Sequence, residues 1–237
     1  MFIYILKFII GLVLGSFLNV VAQSLPTGAN WHTRRSTCPT CNRKLTTFEL
    51  VPLLSYLILK GKCLGCLAKI NPIYFWSELV SGILFMLVPL TMQAWVFTSL
   101  LITVTLTDIY YQIVPNKVLI FVSFVLIPIH SSIINAIVGF SFMLAISTIS
   151  EFIWKKRTLG GGDIKLYFVI GLVLPIPSLF LSIFLASALA LTYIVICRHD
   201  KNVPLPFAPF ISMGAYISYL WGDSIINWYL NLIQISI

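Results

Sequence analysis

The chain has 237 residues, 59% of them hydrophobic and 9% charged, with a formal net charge of +8. Soluble domains run near a quarter charged, so this chain cannot cover itself with a water-facing surface and its solvent is partly lipid. The basic excess raises nucleic-acid binding as a class, and the positions of the cations decide that question below.

A bilayer-spanning helix needs about 20 mainly apolar residues. The first such run, 3–22, is too long for a signal-peptide core and no small-residue cleavage site follows it, so it is expected to be a retained span. Gly11 and Gly15 carry the G-x-x-x-G spacing that lets helices pack closely. Asn19, one turn further, suits either a hydrogen bond across helices or a place in the active site.

The polar insertion 23–71 interrupts the apolar runs. It holds four of the five cysteines and the turn formers Pro26, Gly28, Pro39, Gly61 and Gly65. Cys38, Cys41, Cys63 and Cys66 form two C-x-x-C pairs with 21 residues between them, close to the spacing of a four-cysteine zinc ribbon. Two tight knuckles supplying two thiolates each suit a tetrahedral structural Zn2+, and a module too small for a large core would draw its folding energy from the metal. Disulfides suit an oxidising compartment, which the charge pattern below argues against. Four cysteines leave no open position for a catalytic metal. Cys197, alone near a helix end, reads as a small packing residue. No internal repeat or low-complexity tract is evident.

Further spans are expected near 73–90, 94–107, 117–130, 132–153, 164–176, 178–197 and 207–221, which makes about eight in all. Two of them, 94–107 and 164–176, are short for a full crossing, and short helices beside polar groups usually line a cavity. The tail 225–237, with Trp228 and Tyr229, suits the outer interface.

Four acids fall in or beside these helices: Glu78, Asp108, Glu151 and Asp163. Ionisable groups in a membrane are costly and mark functional sites by default. Asp108 ends the short run 94–107, and Asp163 follows Gly160, Gly161 and Gly162. Two carboxylates within a few Å share a proton and titrate as a unit, which is what peptide hydrolysis requires of an acid–base pair. The glycines would permit positive φ and close approach of a substrate backbone. Equally, Asp163 would serve as an N-cap and Asp108 as a solvated helix end. Glu78 and Glu151 suit structural pairing with Lys or Arg, and Lys165 would bias Asp163 toward its charged form.

The cations sort by side. Seven Lys and Arg lie in 23–72, including Arg34 and Arg35; Lys155, Lys156, Arg157 and Lys165 flank the glycines, and Arg198 and Lys201 follow. With the N-terminus outside, these and Lys117 share one face, the positive-inside pattern. Lys7 departs from it and can snorkel. The basic balance therefore reports topology, and no nucleic-acid partner is expected.

Gly15-Ser16-Phe17-Leu18-Asn19-Val20, the paired knuckles, the Asp108 segment, Gly160 to Asp163 and Pro206-Phe207-Ala208-Pro209-Phe210 together resemble the type IV prepilin peptidases over nearly the whole chain. The resemblance implies an all-α polytopic membrane aspartic peptidase of the bacterial cytoplasmic membrane. It removes the basic leader of prepilin or pseudopilin precursors after a glycine at the cytoplasmic face. Asp108 and Asp163 align with the catalytic pair, and Gly160, Gly162, Lys165 and Asn19 are taken as substrate- or pocket-shaping residues. N-methylation of the new terminus from S-adenosylmethionine is a further activity of many members. The implied organisation is a first helix, 1–22, a cytoplasmic zinc module, 23–72, and a peptidase core, 73–237, embedded in the lipid bilayer. Two other classes stay open on the residues alone: a proton-coupled transporter, which would show repeats about the midplane, and a zinc-stabilised interaction protein. The segment at Pro206 also has a plain reading, a proline lead-in to the last helix.

Overall fold

A computed structural model describes residues 2–27, 36–130, 132–155, 159–197 and 205–235. Gly28, Arg34, Arg35, Lys156, Arg157, Arg198 and Lys201 lie outside these. Among the described residues the fold is all-helical: α1 Phe2–Thr27, α2 Leu54–Ile58, α3 Ile73–Leu87, α4 Met92–Tyr111, α5 Asn116–His130, α6 Ile133–Trp154, α7 Gly161–Val173, α8 Ile176–Cys197 and α9 Ala208–Ile235, with a 3-10 turn at Phe48–Leu50. Each expected span corresponds to a helix. Four stretches, Phe2–Pro26, Met92–Tyr111, Ile133–Trp154 and Ile176–Cys197, are long and apolar enough to cross a membrane, while α3 and α5 are apolar but shorter.

Two expectations about these helices are corrected. The run at 94–107 belongs to α4, a full 20-residue helix that begins at Met92 and continues through Asp108 to Tyr111; inside it Thr98, Thr103 and Thr107 give their hydroxyl protons to carbonyls of their own helix and so tolerate burial. Pro26 lies inside α1, near its end, and does not make a turn. The tail expected at the outer interface is helical, the last part of the 28-residue α9, as far as Ile235.

The chain divides into two compact units, Met1–Leu90 and Thr91–Ile237. In the first, α1 packs along α3. A Cβ on Gly11 would stand 2.7 Å from that of Phe85, and one on Gly15 would stand 2.5 Å from that of Ser81. The G-x-x-x-G face thus lets the two backbones touch, where dispersion and weak polar contacts hold helices in lipid. Asn19 adds a hydrogen bond from Nδ2 to Ser77 Oγ at 2.7 Å and accepts one from Gln23 at 2.9 Å.

In the second unit α4 is the most enclosed span, with 61% of its most apolar window buried against 22% in α6 and α8. α7 is short, 13 residues, about 20 Å at 1.5 Å per residue. It contacts α5, α6, α8 and α9, so its ends meet protein and its backbone groups can find partners there. At its C-terminal end, Asn135 of α6 donates to the Leu174 carbonyl at 3.2 Å. A Cβ on Gly171 would stand 2.6 Å from the Asn135 carbonyl oxygen, and one on Gly139 would stand 2.8 Å from that of Tyr167. Glycines on both helices bring α6 and α7 into backbone contact.

Candidate active site

Asp108 is buried at 7% exposure, three residues before the end of α4. The helix stops at Gln112, whose left-handed φ of 55° turns the chain and whose amide donates to the Asp108 carbonyl at 2.8 Å. The side chain does not face solvent as a helix-end carboxylate would. Its Oδ2 accepts the Ala208 amide at 3.0 Å, from the first residue of α9. The segment Pro206 to Phe210 is therefore more than a proline lead-in, because it delivers a backbone donor to the acid.

Asp163 is buried at 9% exposure in the first turn of α7. The N-cap is Gly160, which corrects the capping reading: Asp163 sits at the third helical position and accepts from the Gly160 amide, as the acid of a capping box does. The two carboxylates stand close enough for the charge on Asp108 to act directly on Asp163. Two acids 55 positions apart in sequence are thus gathered in one apolar enclosure, each bonded to a backbone amide.

None of the three glycines has positive φ; among the described residues only Gly61 does, at 67°. Their reason is space. A Cβ on Gly162 would lie 2.7 Å from that of Val114, one on Gly160 would lie 3.1 Å from Asp163 Oδ2, and one on Gly161 would meet nothing within 4 Å. Gly162 packs α7 against the α4–α5 connection, Gly160 keeps clear of the carboxylate, and Gly161 faces open space. Lys165 gives its ammonium proton to Asn116 Oδ1 at 3.1 Å; burial, the Asp108 charge and the Gly160 amide are what act on Asp163.

Other assignments move. Glu78 accepts the Leu53 amide at 2.9 Å instead of pairing with a cation. Cys197 is exposed, not packed.

In the first unit the four cysteine sulfurs lie within 4.8 Å of one another, an arrangement that could hold a metal ion. Cys38 and Cys66 Sγ are 3.7 Å apart, far beyond a disulfide and close to the roughly 3.8 Å edge of a tetrahedron with 2.3 Å metal–sulfur bonds. The donor set fits such an ion. The knuckles are copies of one turn: Cys38 N bonds Arg43 O and Cys63 N bonds Ala68 O, both at 2.9 Å, with isolated bridges Thr37–Lys44 and Lys62–Lys69. This local repeat corrects the reading that none exists; its sequence trace is C-x-x-C-x-x-K, present twice.

Backbone amides of Cys41 and Thr40 lower the Cys38 thiol, and those of Cys66 and Gly65 take Cys63 down to about 6. The Ala68 amide also lowers Cys66, but desolvation and the sulfurs of Cys41, Cys38 and Cys63 outweigh it and push that thiol to about 11. Arg43, paired with Glu49, acts on Cys63 as well. The Thr46 amide and the Arg43 guanidinium hold the Glu49 carboxyl below its ordinary range. Neither Arg43 nor the Ala208 amide stood out in sequence.

Residues 9–92 match the Bacterial Peptidase A24 N-terminal domain, and residues 95–195 match the Type IV leader peptidase family. A prepilin leader peptidase/N-methyltransferase of Bacillus subtilis is 38% identical, over 95% of this chain and 97% of its own. The chain belongs to the prepilin leader peptidase/N-methyltransferase family. Proteins of the same description from Aeromonas salmonicida and Neisseria gonorrhoeae are 30% and 28% identical, over 96% and 94% of this chain and 94% and 93% of their own. No solved structure gives a significant match. Family membership and the four long apolar helices make this chain a peptidase and an integral membrane protein.

Proposed function

We propose that the chain removes the short basic leader of type IV prepilin or pseudopilin precursors, after a glycine, by aspartic-type hydrolysis with Asp108 and Asp163. The observation that carries this reading is the pairing itself: two buried carboxylates within electrostatic reach, each bonded to a backbone amide. One member takes a proton from water as the water attacks the scissile carbonyl; the other, protonated, hydrogen-bonds the carbonyl oxygen and later assists the leaving amine. The Ala208 amide fixes the orientation of Asp108. The glycine preference at the cleavage point is steric, since a side chain there forfeits near-attack geometry.

Eight helices, α1 and α3 to α9, cross the bilayer in this reading. The N-terminus is outside, and the cysteine module and both aspartates face the cytoplasm, as the cation distribution supports. The first helix, the module at 23–72 and the peptidase core at 73–237 are its functional divisions. Cys38, Cys41, Cys63 and Cys66 would hold a structural Zn2+, which supplies folding energy and no catalytic step. The N-methyltransferase description shared by the relatives supports a second activity, in which S-adenosylmethionine is the co-substrate for methylation of the new N-terminus.

The test is leader cleavage in membranes by the intact chain, Asp108→Asn and Asp163→Asn. Each substitution keeps the shape of the side chain and removes its acid–base capacity, so both variants are expected to lose processing while remaining folded. Wild-type rates in both would refute the pair.

A further inference from the structure

We infer that the outer face of α2 and the lysine groove beside it dock the cysteine module on the anionic surface of the bilayer. The inference rests on the reading that α1 and α3 both cross the membrane.

α2 has two faces. Inward, the Tyr56 ring stacks on Phe75 of α3 with centroids 5.3 Å apart, and its hydroxyl donates to the Ile70 carbonyl at 3.5 Å. Outward, Leu54, Leu57 and Ile58, spaced i, i+3, i+4, are 58%, 59% and 59% exposed. Phe48, Leu50 and Val51 just before them are exposed as well. For a module that folds around a polar cysteine cluster, this is a concentrated apolar surface.

The presentation of that face is held in place. Leu53, immediately before α2, is at φ 58°, in the left-handed region, and the Leu54 amide closes a tight turn onto the Pro52 carbonyl at 2.6 Å. A leucine is strained there, and its amide is bonded to the Glu78 carboxylate on α3. The first turn of α2 is thereby latched to a helix of the first unit.

Charge selects the occupant. The chain leaves α2 into Lys60, which with Lys62, Lys69, Tyr56 and Asn71 lines a cavity of about 470 Å3. All three lysines are exposed, and none of them pairs with an acid among the described residues. A surface with three uncompensated ammonium groups repels a basic leader peptide and attracts anionic headgroups. Lysines flanking a leucine and isoleucine stripe make up the composition of a segment lying in the lipid interface. Both ends of the module run into apolar helices, so a lipid surface is at hand at high effective concentration without any diffusing partner.

The experiment uses the full chain in nanodiscs of phosphatidylcholine, alone or with phosphatidylglycerol. Leu57 is replaced by a fluorescent non-natural amino acid, Val13 of α1 carries the same label in a second preparation, and spin-labelled lipids are the quencher. The label at 57 is expected to be quenched in anionic discs and much less in neutral ones. A Lys60→Glu, Lys62→Glu, Lys69→Glu variant that retains its metal is expected to lose that quenching. Each lysine near an anionic surface shifts docking about fivefold, so the three together account for roughly 10²-fold. Quenching that ignores lipid charge and lysine reversal would overturn the inference. So would a label shielded from a water-soluble quencher yet untouched by lipid, which is the signature of a protein occupant. An unquenched Val13 would instead remove the span reading, and the inference with it.

Discussion

Replacing Gly162 with alanine isolates what the glycine run does. The added Cβ would stand 2.7 Å from the Val114 Cβ, where ordinary contact begins near 3.4 Å, so something must move by about 0.7 Å. Neither partner can yield without reaching an aspartate. Gly162 precedes Asp163 in the first turn of α7, and Val114 lies on the connection leaving α4, six residues after Asp108. Misplacement of a reacting group by about 1 Å costs on the order of 10²-fold in rate, so a 10- to 100-fold fall in leader cleavage is expected, about 1.4 to 2.7 kcal/mol in barrier. Gly161→Ala adds a Cβ that meets nothing and should cleave at nearly the wild-type rate, with slight stabilisation from the better helix former. Val114→Gly removes the clashing atom, so the double variant should recover part of the loss as a positive coupling in a mutant cycle. The assay is initial rate of leader removal in membranes, with thermal unfolding as the control. A Gly162→Ala enzyme as fast as wild type, or a Gly161→Ala enzyme equally slow, would refute the steric account.

Ala208→Pro tests the backbone donor: proline suits a first helical position but lacks the N–H that bonds Asp108. Losing a hydrogen bond to a charged group costs about 1.5 to 3 kcal/mol and the ring enters a fully buried position, so cleavage should slow roughly 10- to 100-fold and the melting temperature should fall as well; a variant as fast as wild type would reject the role of the donor. Cys38→Ser should lower bound zinc, measured by elemental analysis, and render 36–72 protease-sensitive; full metal content in the variant would reject the four-thiolate site. Gly171→Ala would press a methyl to 2.6 Å from the Asn135 carbonyl oxygen, an overpacking that costs about 1 to 3 kcal/mol and should appear as a lower melting temperature in detergent.

Much was legible in the chain. Apolar run length revealed the helices because lipid tolerates only segments that satisfy their own backbone, and the paired C-x-x-C spacing located the four-cysteine cluster because ligand geometry is local. The two aspartates stood out as rare acids in an apolar chain, though capping and solvation explained them equally well; burial removes the solvated reading of Asp108, while Asp163 keeps a capping-box bond to the Gly160 amide. The Ala208 amide has no sequence signature, since every residue but proline carries one. The end of α4 was misjudged because Asp108 interrupts the apolar run, although the helix continues through it to Tyr111.

The sequence by itself determined that this is a helical membrane protein with a four-cysteine module and a few acids rare enough to be site candidates, because hydropathy, ligand spacing and charge are properties of residues. Only the tertiary structure decided why the glycines are glycines, which backbone group holds Asp108, and that Glu78 latches α2. Those depend on distances between segments far apart in the chain, and a Cβ is forbidden at Gly162 by Val114, not by anything beside it.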